Sequence, residues 1–170
     1  PSGWTDSGSP NWDYTTTILQ GTHSVLCSVS TSSYKSFASQ STVYGYTLFR
    51  IPTSLPAAVT TFGAFRATDL SARALFRVNA SGQVTIFANG SDSTACVATM
   101  AANTTYHVWW SFTASGTCTV AFSTDGTRPT SGDNFTSKTG GAGTVERYYI
   151  NPIAIYDRML ASTTQIGNSP

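Results

Sequence analysis

Charge is scarce in this chain. Only 10% of its 170 residues are Asp, Glu, Lys or Arg, and the formal net charge is +1. Such a composition offers no overall basic field for a nucleic-acid backbone. Acids occur at Asp6, Asp13, Asp69, Asp92, Asp125, Asp133, Glu146 and Asp157. Acid–base hydrolysis of a glycosidic bond needs two carboxylates on one face, about 5–10 Å apart. On a strand that means alternate positions, and no two acids are spaced that way. Histidine occurs at His23 and His107 alone, and there is no Gly-x-Ser-x-Gly elbow, so Ser–His–Asp catalysis has no local signature. Neither Cys-x-x-Cys nor His-x-x-x-His occurs, which excludes the usual zinc spacings. Cysteine is odd in number, at Cys27, Cys96 and Cys118, so at least one thiol has no partner within the chain. Cys27 falls in an apolar run and reads as a small core residue; Cys96 and Cys118 are candidates for a bridge. No apolar run approaches the roughly 18–20 residues of a membrane span. The chain opens Pro1-Ser2-Gly3-Trp4, with neither Met nor a signal peptide, which reads as Met removal or as a processed or excised domain.

Aromatic and β-branched residues, with Ser, Thr and Gly between them, fill the space that charge leaves. The stretch from Tyr106 to Thr127 reads as two strands, a tight turn at Ala114-Ser115-Gly116 and a closing Asp125-Gly126 turn. Gly116 is the expected positive-φ residue of the first turn. Period-two alternation puts Val108, Trp110 and Phe112 on one face, with Cys118, Val120 and Phe122 to meet them. His107 and Trp109 then point the other way. Further strands are expected over 19–29, 43–51, 59–66, 74–78, 83–88, 94–100, 145–150 and 153–156. Gly63 reads as a bulge. Residues 31–40 and 127–143 read as polar loops, and the tail after Leu160 as the one place for a helix. Residues 1–17 read as an extended segment held down by Trp4, Trp12 and Tyr14. Short strands at regular intervals predict a single all-β domain over residues 1–170, an antiparallel two-sheet sandwich of jelly-roll type.

Three segments carry a family resemblance: the Tyr106–Thr127 hairpin, Leu19-Gln-Gly-Thr-His-Ser-Val-Leu26, and Tyr149-Ile-Asn-Pro-Ile-Ala-Ile-Tyr-Asp-Arg-Met-Leu160. In this order they resemble laminin-G-like or concanavalin-A-like jelly rolls. The resemblance implies a domain that binds glycans or proteins, with lyases and hydrolases as relatives. The Glu-x-Asp-x-x-Glu motif of jelly-roll glucanases is absent. Structural calcium is common in laminin-G-like domains, and Asp6, Asp13 or Asp157 would supply its oxygens; no other cofactor is implied.

Aromatics off the core make sugar platforms, since a ring lies against the apolar face of a pyranose. Trp109, Tyr44, Tyr46 and Tyr34 are the candidates, with His107 beside them. Phe-Arg recurs at Phe49-Arg50, Phe65-Arg66 and Phe76-Arg77. With each Phe in the core, Arg50, Arg66 and Arg77 would form a basic stripe for an acidic glycan or protein surface. Four sequons, at Asn79, Asn89, Asn103 and Asn134, matter only in a eukaryotic source. The expectation is a non-catalytic recognition module, carbohydrate-binding, extracellular or displayed on a particle surface. A decoration or cement protein of a virion is the alternative, its partner a protein surface and its state an oligomer. A polysaccharide lyase using His107, Tyr46 and Arg50 is the second alternative.

Overall fold

The structure, a computed structural model, describes residues 4–8, 11–14, 24–27, 32–51, 53–153 and 159–167. Every regular element among them is a strand: β1 (Trp4–Ser7), β2 (Asn11–Tyr14), β3 (Ser24–Cys27), β4 (Ser32–Gln40), β5 (Thr42–Arg50), β6 (Thr60–Arg66), β7 (Ala72–Val78), β8 (Val84–Ala88), β9 (Ser91–Asp92), β10 (Thr105–Thr113), β11 (Thr117–Ser123), β12 (Phe135–Thr139), β13 (Val145–Ile153) and β14 (Met159–Gly167). They form two antiparallel sheets of seven strands each. The front sheet runs β12-β11-β10-β5-β14-β3-β2, and the back sheet β1-β4-β13-β6-β7-β8-β9. The N-terminal segment adds an edge strand to each sheet, β1 beside β4 and β2 beside β3.

Alternation builds the core. On β10, Tyr106, Val108, Trp110 and Phe112 are buried, and Val43, Gly45, Thr47 and Phe49 are buried on β5. Trp110 reaches across the sandwich, with ring centroids 5.4 Å from Phe76, 5.0 Å from Tyr148 and 6.1 Å from Phe62. Its in-register partner on β5 is Gly45. A methyl group there would collide with the indole of Trp110, so this position needs the residue with no side chain. Phe112 meets Phe65 of the back sheet at 6.2 Å.

Several expectations are corrected. Residues 32–40 are a strand, not a polar loop: β4 lies between β1 and β13, and Ser33 is 0% exposed. The 94–100 stretch is not a strand. Cys96 and Met100 do point inward and Val97 outward, but the backbone makes an isolated bridge, Thr99 to Gln83, rather than a ladder, besides the bond from Cys96 N–H to Val84 O. The 127–143 loop contains edge strand β12. The first strand expected after Gly143 runs on to Ile153 as β13, with an irregularity between Ile150 and Ile153, and residues 154–156 of the second lie outside those described. The tail is β14, paired on both sides by β5 and β3 deep in the front sheet, and not a helix. In the β10–β11 turn the positive φ, 52°, belongs to Ser115 rather than Gly116. Gly63 does sit at a register shift between β6 and β7. Cys96 and Cys118 are free, buried thiols, and burial pushes both up to about 11. The side chain of Cys27 lies outside those described.

Candidate functional site

The outer face of the front sheet is set by the pairing of β5 with β10. Register places Trp109 opposite Tyr46, His107 opposite Leu48, Ser111 opposite Tyr44 and Thr105 opposite Arg50. Cross-strand partners share a face, so Tyr44, Tyr46, Arg50, His107 and Trp109 all come to one surface. The rings touch. Tyr46 lies 5.5 Å from Trp109 and 6.0 Å from His107 between centroids. His107 and Trp109 lie 5.9 Å apart with an interplanar angle of 16°. Two positions apart on β10, they stand side by side on the same face.

Tyr46 Oη and His107 Nδ1 are hydrogen-bonded at 2.8 Å, and which atom donates depends on the tautomer of the imidazole. Burial pushes the Tyr46 phenol above its ordinary pKa, so it stays protonated and able to donate. The Asp125-Gly126 turn leans on the other side of the imidazole. Gly126 has φ 82°, and a Cβ there would lie 3.3 Å from His107 Cε1. The Asp125 carboxylate is held below the usual range, first by the Thr127 N–H and then by the Ser123 hydroxyl. Ser111 and Thr119 share a hydroxyl hydrogen bond of 2.8 Å further along the face. The arrangement is a patch of three ring side chains with hydroxyls around it, which can stack on a sugar ring and orient its hydroxyls.

The other expected residues lie elsewhere. Tyr34, Arg66 and Arg77 are on the back sheet, so the stripe of Arg50, Arg66 and Arg77 does not form. Arg50 belongs to a different sheet. Arg66 and Arg77 end successive antiparallel strands, and therefore sit at opposite ends. Arg77 is opposite Thr61, five residues from Arg66 along β6 and so about 16 Å away by strand rise. Arg77 is also occupied, with Asp92 at 3.3 Å and the Phe87 ring centroid 3.8 Å from its Cζ. Sequence reasoning missed Arg147 and Tyr149. Period-two alternation over Arg147-Tyr148-Tyr149 would have put both on one face, as they are on β13.

Asp6 lies on β1 and accepts a hydrogen bond of 2.6 Å from Ser33 Oγ. Asp157 and the side chain of Asp13 lie outside what is described. Among the described residues no three His, Cys, Asp or Glu side chains are grouped to hold a metal ion. Three of the four sequon amides are engaged within the fold: Asn79 donates to Gln83, Asn89 to the Thr139 and Gly140 carbonyls, and Asn134 to Phe122 O.

No protein-family model matches the chain, nor does any curated protein. Solved structures do match in fold. The cellulose-induced protein Cip1 superposes with a TM-score of 0.71 at 12% identity, over 99% of this chain and 92% of its own. The exoplasmic/lumenal domain of VIP36, in a form bound to Ca2+ and Man3GlcNAc, gives 0.66 at 11% identity, over 99% of this chain and 84% of its own. A sialidase gives 0.67 at 13% identity over 98% of this chain; the chain spans only 17% of that protein. These likenesses establish a two-sheet β-sandwich of the kind found in lectins and sialidases.

Proposed function

We propose that the outer face of the front sheet binds a carbohydrate chain, with Trp109 and Tyr46 as the stacking platform and His107 orienting hydroxyls. The protein is then a non-catalytic recognition module, working outside a cell or on a particle surface. One observation carries this reading: indole, phenol and imidazole form a contiguous patch at the middle of a sheet, on a face where alternation already satisfies the core. The fold it shares with a glycan-bound lectin domain supports it. A glycan array followed by calorimetry tests it. Trp109→Ala should abolish binding while changing stability by under about 1 kcal/mol, as surface substitutions do. Unaltered affinity would remove Trp109 from the site and transfer the role to Tyr44 and Tyr46. A native assembly with Trp109 buried against protein would instead mark a decoration role.

The Tyr46–His107 hydrogen bond favours a second reading, β-elimination on a uronate polymer, in which these two groups move the protons. Two features weigh against it. The phenol is held protonated, which suits donation rather than abstraction. Arg50, the group to neutralise a carboxylate, lies four residues from Tyr46 along β5, about 13 Å by strand rise. A rise in ultraviolet absorbance with uronate polymers would establish the lyase; a flat trace leaves recognition.

A further inference from the structure

We propose that the outer face of the back sheet carries a second binding site, in which the guanidiniums of Arg66 and Arg147 grip a carboxylate on a uronate-containing sugar chain. The site does not rest on the reading of the front face. One cross-strand row spans the whole back sheet: Thr5, Tyr34, Tyr149, Ala64, Leu75, Phe87 and Asp92. Its middle is apolar, and Tyr149, Ala64 and Leu75 are buried although they face outward. Tyr34 and Tyr149 stack at 4.9 Å and 28°.

The neighbouring row holds Arg147 directly opposite Arg66. Like charges in register on adjacent strands, about 4.8 Å apart, repel. Each guanidinium rests on a ring of the apolar row: Arg147 Cζ is 4.9 Å from the Tyr34 centroid, and Arg66 Cζ 5.4 Å from that of Tyr149. The rings offset part of the repulsion and fix the direction of both forks. Among the described residues neither arginine forms an ion pair. Arg66 Nη1 donates to Leu70 O at 2.6 Å, while its Nε is buried without a partner.

The carboxylates near this end of the sheet are engaged by neutral donors and by the charge of Arg73. Glu146 accepts from Ser39 Oγ at 2.7 Å, Thr144 Oγ1 at 2.8 Å and the Thr68 N–H at 3.0 Å. Asp69 accepts from both the N–H and the hydroxyl of Ser71. Two guanidiniums, in register on adjacent strands and seated on adjacent stacked rings, are thus left for an external anion. A carboxylate matches their planar forks, and its charge relieves their repulsion. Tyr34, only partly buried beside the pair, supplies apolar surface for the sugar ring that bears it. Two cations suit an isolated carboxylate rather than a phosphodiester backbone, which demands a longer array.

The test titrates the full chain with a galacturonate oligosaccharide at several salt concentrations. A neutral oligosaccharide of equal length, a heparin-derived oligosaccharide and a poly-glutamate peptide serve as comparison probes. The oligouronate should bind best, and more weakly as salt rises. Arg66→Gln with Arg147→Gln should reduce affinity roughly tenfold or more, as loss of charge-assisted hydrogen bonds does, and flatten the salt dependence. Arg77→Gln on the same face, and Trp109→Ala on the other, should leave oligouronate binding unchanged. Should the double variant not fold, Arg147→Lys keeps charge and stem; it should weaken binding while retaining the salt dependence. The proposal is overturned by wild-type protein that does not bind the oligouronate, or by variants that bind it as wild type does. Equal or tighter binding of the neutral, sulfated or peptide probe by Trp109→Ala, which lacks the front-face platform, also overturns it. Loss of neutral-glycan binding in Trp109→Ala reports on the front face alone, so the two sites fail independently.

Discussion

On the front sheet, Trp109, Tyr46 and His107 lean on one another; on the back sheet, Tyr34, Tyr149 and Phe87 each lie under a guanidinium. The two faces use similar residue types to different ends. Rings with no arginine over them keep a surface for a ligand. Rings beneath arginines hold charge in place instead, and Tyr149 among them is covered. Tyr149 shows the consequence for stability, since it is 8% exposed on an outer face and packs with Ala64 and Leu75 as a small second core. One face should therefore tolerate loss of an aromatic side chain, and the other should not.

Substitutions on and beneath each face test this contrast. The largest effect belongs beneath both faces. Phe112→Ala, emptying a site that meets Phe65 across the sandwich, should cost about 3–5 kcal/mol in urea unfolding. A loss under about 1 kcal/mol would mean the β10 register is wrong and the assignment of faces with it. Next comes the back face: Tyr149→Ala should cost about 2–4 kcal/mol, because it removes a buried ring and uncovers Leu75. If Tyr149→Ala and Trp109→Ala prove equally mild, the two faces are alike and the contrast falls.

A smaller effect follows pH. The Glu146 carboxylate is held below its ordinary pKa, first by the Ser39 hydroxyl, then by the Thr144 hydroxyl and the Thr68 N–H. A carboxylate depressed in the folded state stabilises above its unfolded value of about 4.3, and that stabilisation is lost as pH falls through the folded value. Glu146→Gln should lower Tm at neutral pH, and the gap from wild type should close on acidification. A gap that widens towards acid would contradict the assignment. This carboxylate ties β4, β13 and the β6–β7 turn together below the arginine pair, so the effect belongs to the back face.

Alternation made the front-face patch legible. Tyr44 and Tyr46 on one strand, and His107 and Trp109 on another, could be assigned outward from their apolar neighbours alone. The pairing of β5 with β10 could not, because those strands are some sixty positions apart and only the folded sheet joins them. Elements dominated by Ser and Thr were lost for a related reason. β4 and β14 are strands because neighbours on both sides pair with them, not because their side chains prefer it. The 94–100 stretch shows the converse: its apolar alternation is real, yet single hydrogen bonds rather than a ladder hold it. The repeated Phe-Arg was a true local pattern, but antiparallel order scattered its arginines. Arg66 instead found Arg147, which the Phe-Arg repeat does not include.

The most direct test is calorimetric titration of wild-type protein and Trp109→Ala with the best ligand from a glycan array, with Tm measured on the same samples. Wild type should bind and Trp109→Ala should not, with a stability change under about 1 kcal/mol. Retained affinity in Trp109→Ala, at unchanged Tm, would contradict it.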